Sequence, residues 1–512
     1  MALKRLLSIG IIIGLVGCQA ENLEIDEKQS NLTRTTGAAA SLSEAEYDAL
    51  TPEQQYQVAN KLSATLYKGT PVSEFFDLGH GINKLKVDGG KDYLTETRES
   101  LSERLPNKES YSNAIKARHE FSNESRTIRA EPLATIREYP ISRDLFEAWM
   151  AYTLANTILF SPAEEIDSAD HIDVQRIYDG LLKAMSQDGS IRDIILAHQK
   201  SQANWRRFRS PEDNTREMIE IYLGLFDRDA DVPKASIACQ NWSLTGDDDG
   251  YQLVIDQSEA NTEPQNVLGQ YWVTSCEDFY EVIASHPLVI PRITTFLVDR
   301  FYPNFSSGKR AAIVKDIVAT NPVRFHDIFL PIIFSKEYLL YNEKPKSFEE
   351  TFFNLAERTQ WENTGRFLNQ LVDEDFGASY PTLSKMGQPA MRLKLGRFKD
   401  QPLDSLSFAS YHEAVRDRVL VCNVTRSNET WGCWGSNFSS KGDFFDLEEY
   451  IQYLFISATS RKASTQELNT LISVIEAENK TSNNDQAKIV LDYISRLPEI
   501  YFYNTINLGD NP

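Results

Sequence analysis

Ser210-Pro211-Glu212-Asp213-Asn214-Thr215-Arg216-Glu217-Met218-Ile219-Glu220-Ile221-Tyr222-Leu223-Gly224-Leu225 carries the pattern that decides the fold. Ser210 offers a hydroxyl to the unpaired N–H groups of a helix start, and Pro211 stands at the first helical position, where its missing N–H is not needed. Met218, Ile221, Tyr222 and Leu225 then recur at i, i+3, i+4 and i+7, one apolar stripe on a polar cylinder. The same start recurs at Thr51-Pro52-Glu53-Gln54, with glutamine at N3 to complete a capping box, followed by Tyr56, Ala59, Leu62 and Leu66. Ser464 and Glu467 form another box ahead of Leu468, Leu471 and Ile472. Helical periodicity extends over 142–159, 173–199, 288–301, 307–319, 347–374, 407–420, 444–459 and 484–503. The expectation is a mainly α, multi-helical body.

Strand character is confined to about 239–275. Asn241-Trp242-Ser243-Leu244 and Tyr251-Gln252-Leu253-Val254-Ile255 flank the turn-rich Thr245-Gly246-Asp247-Asp248-Asp249-Gly250, which predicts a small β-hairpin insertion. Gln270-Tyr271-Trp272-Val273-Thr274 is a third extended candidate. Cys239 and Cys276 bracket this stretch. With Cys422 and Cys433 they form an even set of four, which in an exported chain reads as two disulfides. Three pairings are open; the sequence-local one, Cys239–Cys276 with Cys422–Cys433, is preferred. No Cys-x-x-Cys or Cys-x-x-Cys-His occurs, so neither a zinc site of that type nor the usual covalent haem attachment is expected.

The N-terminus sets the expected compartment. Lys4 and Arg5 precede an apolar stretch, Leu6 to Gly17, that ends Leu15-Val16-Gly17-Cys18. Twelve residues rise about 18 Å as a helix, short of a hydrocarbon core of roughly 30 Å, so the segment reads as a signal peptide. Its end resembles a bacterial lipobox, with Val16 where Ala or Ser is usual. The plainer alternative is an ordinary secretory peptide with a chance cysteine. Gly17 directly before the cysteine and Leu15 at the third position back favour the lipobox, which implies lipidation of Cys18 by diacylglycerol and cleavage before it. Gln19, where Asp would resemble an inner-membrane retention signal, favours the outer membrane. Residues 1–17 are then the signal peptide, 18–45 a polar, small-residue tether, 46–345 a helical domain carrying the β insertion, and 346–512 a C-terminal helical region. Losing Lys4 and Arg5 moves the net charge from −21 to −23. An acidic body without a Lys/Arg stripe argues against nucleic acid as a partner. The membrane, through the lipid, and an envelope protein or glycan are the partners expected.

No chemistry declares itself. Gly-x-Ser-x-Gly, His-Glu-x-x-His, Gly-x-Gly-x-x-Gly and the phosphate loop are all absent, and His412-Glu413 is followed by Arg416 where a second zinc-binding histidine would stand. Asp227, Asp229 and Asp231 alternate, but Val232 and Ala238 occupy the glycine and glutamate positions of an EF-hand. Asp247-Asp248-Asp249 reads as a solvated loop, and the seven histidines are scattered singly. Ser306-x-x-Lys309 lacks the companion motifs of acyl-enzymes. No catalytic, metal or cofactor residue is therefore assigned. Ile333–Asn342 and Ile494–Asn504 echo each other loosely, each closing a helical stretch.

From about Gln175 the chain resembles a secreted bacterial family designated domain of unknown function 1800. The 210–221 stretch is similar to that family's N-x-A-R-E-L-x-E-L helix, and Asp231-Val232 with Trp242 to the D-V…G-W segment after it. Ala284-Ser285-His286-Pro287 with Leu297, Arg300 and Phe301, then Ser335–Tyr338 through Lys344-Pro345, then Met386–Pro389, match further elements in order over roughly 240 residues. The family's H-D-x-G-x-K-x-x-L-G segment is Ala260–Gly269 here, with Ala260, Asn261 and Gln265 in place of the His, Asp and Lys. The resemblance supplies no reaction. It does single out Asn214, Arg216, Glu217 and Glu220 as a polar cluster. Arg216 and Glu220 can pair across one turn, which reads as packing, while a cleft around the carboxylates would read as a site. Two functions follow: a non-catalytic envelope lipoprotein that binds a partner, and an envelope hydrolase using carboxylates, with or without a metal.

Overall fold

The computed structural model describes residues 37–70, 72–76, 90, 92–119, 130–159, 172–246, 251–358, 368, 371, 382–383, 385–386, 404–420 and 446–508. They belong to one compact unit, Thr33–Pro512. The N-terminal part holds α1 (Glu44–Asp48), α2 (Pro52–Thr65), α3 (Val72–Phe75), α4 (Tyr93–Ser100), α5 (Lys108–His119), α6 (Glu131–Glu138) and α7 (Arg143–Ala155). There follow α8 (Ile172–Ser186), α9 (Ile191–Gln199), α10 (Gln202–Arg207), α11 (Pro211–Leu223) and α12 (Val232–Ala238). After four short strands come α13 (Cys276–Ser285), α14 (Val289–Phe301), α15 (Ser307–Val318), α16 (His326–Ile333), α17 (Lys336–Tyr341) and α18 (Phe348–Arg358). The C-terminal part holds α19 (Ser405–Val415), α20 (Leu447–Thr459), α21 (Thr465–Ala477), α22 (Asn483–Ile494) and α23 (Pro498–Tyr501). The fold is mainly α.

Two helices run through the interior. Every residue of α7 from Asp144 to Ala155 is buried, and Trp149 packs against Phe146, Phe301 and Phe329. Almost all of α18 is buried too, and Tyr152 of α7 donates to Glu349 of α18 at 2.8 Å. A helix buried on all sides needs partners for each polar side chain it carries. In α7 those partners come from the loop before α5, from α5 and from the first residue of α7 itself: Arg104 and Lys108 reach Asp144, while Arg104 and Arg143 hold Glu147. The described residues on either side of the expected boundary at 345 belong to one compact unit: α18 packs on α2, and the Tyr503 N–H donates across the boundary to the Lys344 carbonyl.

The capping boxes at Thr51–Gln54 and Ser464–Glu467 form as the sequence indicates, and Ser210 caps α11. The 173–199 stretch is two helices, not one. Asp188 adopts φ +59°, Gly189 passes close to the Ala184 carbonyl, and Ser190 with Asp193 opens α9 by its own capping box. Likewise 484–503 breaks into α22 and α23, with Pro498 at the new helix start. Of 347–374, the helix covers Phe348–Arg358.

The insertion holds two hairpins where one was expected. β1 (Trp242–Thr245) pairs antiparallel with β2 (Gln252–Ile255), Trp242 opposite Ile255. β3 (Gln265–Val267) pairs with β4 (Gln270–Val273) through a two-residue turn, Leu268-Gly269, both at positive φ. Cys239 and Cys276 form a disulfide, Cα to Cα 4.3 Å, that closes this insertion between α12 and α13. Cys18, Cys422, Cys433 and Asp247–Asp249 lie outside the described residues.

The tether is shorter than expected. Ala39 and Leu42 are fully buried, Ser41 bridges Ser335, and Asp316 accepts from the backbone N–H groups of Ala38 and Ala39. Small side chains let this backbone approach α15, and a Cβ on Gly37 (φ +76°) would meet the Asp316 carboxylate at 2.7 Å. The two echoing stretches lie side by side. Each runs from a long helix into a short one, α16 into α17 and α22 into α23. The chain beyond each then pairs at Pro345 and Phe502 in an antiparallel bridge.

Candidate functional site

The four residues of the expected polar cluster do not converge. Asn214 is fully buried and accepts from the Tyr280 hydroxyl at 2.8 Å, tying α11 to α13. Arg216 points outward to Asp229 at 2.7 Å and back one turn to Glu212 at 3.4 Å. The expected Arg216–Glu220 pair is replaced because Gly224, at φ +69°, ends α11 and turns the acidic loop back beside Arg216. Glu217 and Glu220 are half-buried. Burial raises the Glu217 carboxyl, and the neighbouring Glu220 adds to this, while Arg207 opposes it. Asp229 and Asp231 serve structure: Asp229 pairs with Arg216, and Asp231 accepts from the Leu268 N–H and reaches Arg228. Asn261 and Gln265 donate to backbone carbonyls that frame the second hairpin. Ser306 caps α15.

A cleft lies elsewhere, between α8, α9 and α10, with a volume of about 360 Å³. Ile177, Leu181 and Ala184, at i, i+4 and i+7 of α8, form one wall, and Ile194 and Ala197 of α9 the other. Ser201, Gln202 and Ala203 close one end, and Arg176 stands at the rim. Gly180 also lines it, and a Cβ there would meet nothing within 4 Å. A pocket of this size, apolar with few polar groups, is the usual form of a ligand site.

His198 is the titratable group at its floor. It is 6% exposed, and its Nε2 has no hydrogen-bond partner. Burial, with Arg207 nearby, lowers its pKa to about 3, so the imidazole is neutral at physiological pH. A base that weak is poorly matched to proton transfer near neutrality. The Ser201 hydroxyl donates to the His198 carbonyl at 2.7 Å, which engages its proton within the backbone. What the cleft can do is enclose an apolar group and exchange one hydrogen bond with it. His198 follows Ile191, Ile194 and Ile195 on the buried side of α9. A histidine in an isoleucine stripe is the sequence feature that a count of scattered histidines passes over.

The cleft's walls are braced. Arg206 of α10 holds Asp173 at the start of α8 through two hydrogen bonds, 2.9 and 3.0 Å, with both side chains buried. Arg206 also donates to the Tyr251 carbonyl, and Gln202 accepts from the Leu253 N–H, which seats the first hairpin on α10. Among the described residues, no group of three or more His, Cys, Asp or Glu could hold a metal ion, and no helix is long and apolar enough to cross a membrane. No family model matches the chain, and no curated protein or solved structure matches it either.

Proposed function

We propose that this chain is a lipid-anchored protein of the bacterial cell envelope, acylated at Cys18 and held at the outer membrane. Its helical body binds an envelope protein by receiving an apolar side chain in the cleft beside His198. The observation that carries the binding reading is the cleft's lining, apolar walls around one neutral imidazole with an unpaired nitrogen. A glycan would need many hydrogen-bond partners, which these walls do not offer, so a protein partner is favoured over a sugar. The ordered motifs after Gln175 support membership, as a divergent relative, of the domain-of-unknown-function 1800 family.

Capture of the lipidated protein from membranes tests this reading when wild type and Gly180→Trp are compared. Gly180 lines the cleft and a Cβ there meets nothing within 4 Å, so the tryptophan is expected to occupy the cleft without unseating α8. A partner held by wild type and lost by Gly180→Trp supports the reading; equal capture by both contradicts it. Cys18→Ser is expected to abolish fatty-acid labelling and release the protein to the soluble fraction, and labelling that survives removes the anchor. A carboxylate hydrolase is the second reading, favoured by the raised Glu217 carboxyl. It requires turnover that Glu217→Gln abolishes.

A further inference from the structure

Under the C-terminal strip lies a second cavity, of about 50 Å³, and its lining is the chemical opposite of the cleft's. Lys61 of α2, Lys346 ahead of α18 and Arg358 at its end all line it, in a chain whose net charge is −21. Among the described residues none of the three forms an ion pair with a carboxylate; they lean on oxygens of the chain and on the Tyr503 and Tyr56 rings. Lys61 Nζ donates to the carbonyls of Asn342 and Asn504 at 3.0 and 2.8 Å, and Lys346 Nζ to that of Glu499 at 2.7 Å. Arg358 donates to Ile456, Ala458 and the Asn354 side chain, and its Nε has no partner. An ammonium carries three donors and a guanidinium five, so each cation keeps N–H groups to spare.

A second observation is independent of charge. Asn60, one residue before Lys61, is 4% exposed and lines the same cavity, and neither its Oδ1 nor its Nδ2 has a partner. An amide left wholly unpaired at that depth costs stability unless something occupies the space beside it. The cavity holds one Glu499 carboxylate, already bound by Arg461 through Oε1, while its Oε2 is unpaired. The nearby Lys344 is neutralised by Glu350 at 2.6 Å. Burial and neighbouring cations lower Lys61 and Lys346 to about 7 each, so they are partly charged near neutrality. Once protonated, they and Arg358 outnumber the single carboxylate, and an anion entering the cavity favours that protonated state. The volume holds either a few waters or one small oxyanion. Exposed Phe502 and Asn504 and half-exposed Lys346 form the mouth.

From this geometry we propose that the Lys61–Lys346–Arg358 cavity binds a multiply charged oxyanion of the phosphate class, with the Asn60 amide as a fourth donor. The anion balances the cations and takes up their spare N–H groups, and the C-terminal strip closes over it.

The test is calorimetric titration of inorganic phosphate into the full chain, solubilised from membranes, at constant ionic strength set with chloride. Saturable binding at one site is expected. Asn60→Leu and Lys346→Met each remove a charge-assisted bond or its donor, and each is expected to weaken binding about tenfold to a hundredfold. Lys346→Arg keeps the charge at the mouth and is expected to retain binding. Thermal unfolding of each variant in chloride confirms that it is folded, and Lys346→Arg separates loss of the charge from loss of the fold. Release of bound phosphate by phosphatidate vesicles, and not by phosphatidylcholine vesicles, assigns the anion to a lipid headgroup; no release assigns it to a small soluble phosphate. Absence of saturable binding, or binding that both weakening variants leave unchanged, overturns the proposal and leaves the cavity to water.

Discussion

The His198 cleft and the Lys61 cavity both bury ionisable groups, and burial disfavours the charge in each, but the walls around them offer different partners. Where the walls are isoleucine, leucine and alanine, the titratable group gives up its charge: His198 is held neutral, its pKa down to about 3. Where backbone carbonyls line the wall, the charge can be partly supported. Lys61 is lowered as far as His198 is, to about 7, by burial first and the like charge of Lys346 second, with Glu343 opposing; a lysine starts higher, so this leaves it partly charged near neutrality. Burial alone does not define a site. What distinguishes the two is the supply of hydrogen-bond partners, and this decides what each can take: an apolar group in the first, an anion in the second.

The largest expected effect strikes the first region. Asp173→Ala removes the buried carboxylate that faces the Arg206 guanidinium and is expected to cost about 3–5 kcal/mol in denaturant unfolding. Replacing both partners with apolar residues should recover most of it. A single-variant cost near zero would mean that α8 and α10 are not braced by this pair.

Reduction of Cys239–Cys276, which spans 37 residues, is next, at about 3–4 kcal/mol. The hairpin held by that bond rests on α10, so reduction should weaken binding in the cleft and spare the Lys61 cavity. Equal loss at both would show that the two regions are not independent.

Proton linkage separates them by pH. The unfolded chain protonates a histidine below about pH 6.5, whereas folded His198 resists down to about 3, so stability falls as pH drops through that window. Lys61 acts on the other side of neutrality. Between about pH 7 and 10.5 the folded lysine has shed a proton that the unfolded chain keeps, so its contribution to stability rises with pH. Unfolding free energies measured from pH 4 to 10 should show the acid slope reduced in His198→Phe. The stability of wild type relative to Lys61→Met should rise between pH 7 and 10. Slopes unchanged in both variants would contradict the assignment of either group.

The smallest effect is at Gly180. It sits in a helix with open space beyond its missing side chain. Gly180→Ala should therefore stabilise by about 0.4–1 kcal/mol without closing the cleft.

Local chemistry was legible in the sequence wherever it acts over a few residues. The capping boxes at Thr51 and Ser464, the Ser210 cap, the first hairpin and the Cys239–Cys276 pair follow from neighbours along the chain. The second hairpin was hidden because Gln265-Asn266-Val267 has little strand character and its turn asks Leu268 for positive φ. Ala38–Ala40 docks through backbone hydrogen bonds to Asp316, which leaves no apolar period to read. Arg216 took Asp229 over Glu220 because a turn at Gly224 brought a distant acid closer than a helical neighbour. The Lys61 cavity arises where segments far apart in sequence meet, and no local window contains it. The His198 cleft lies within residues 176–203, but it depends on how three consecutive helices pack, which periodicity along each helix does not give.

Binding of an uncharged apolar fluorophore, N-phenyl-1-naphthylamine, to the full chain tests the central claim most directly. Saturable enhancement at one site is expected for wild type, little changed between pH 5 and 8 because His198 stays neutral throughout, and abolished in Gly180→Trp. Binding that Gly180→Trp leaves intact, or no saturable binding by a wild-type protein that is folded, would contradict it.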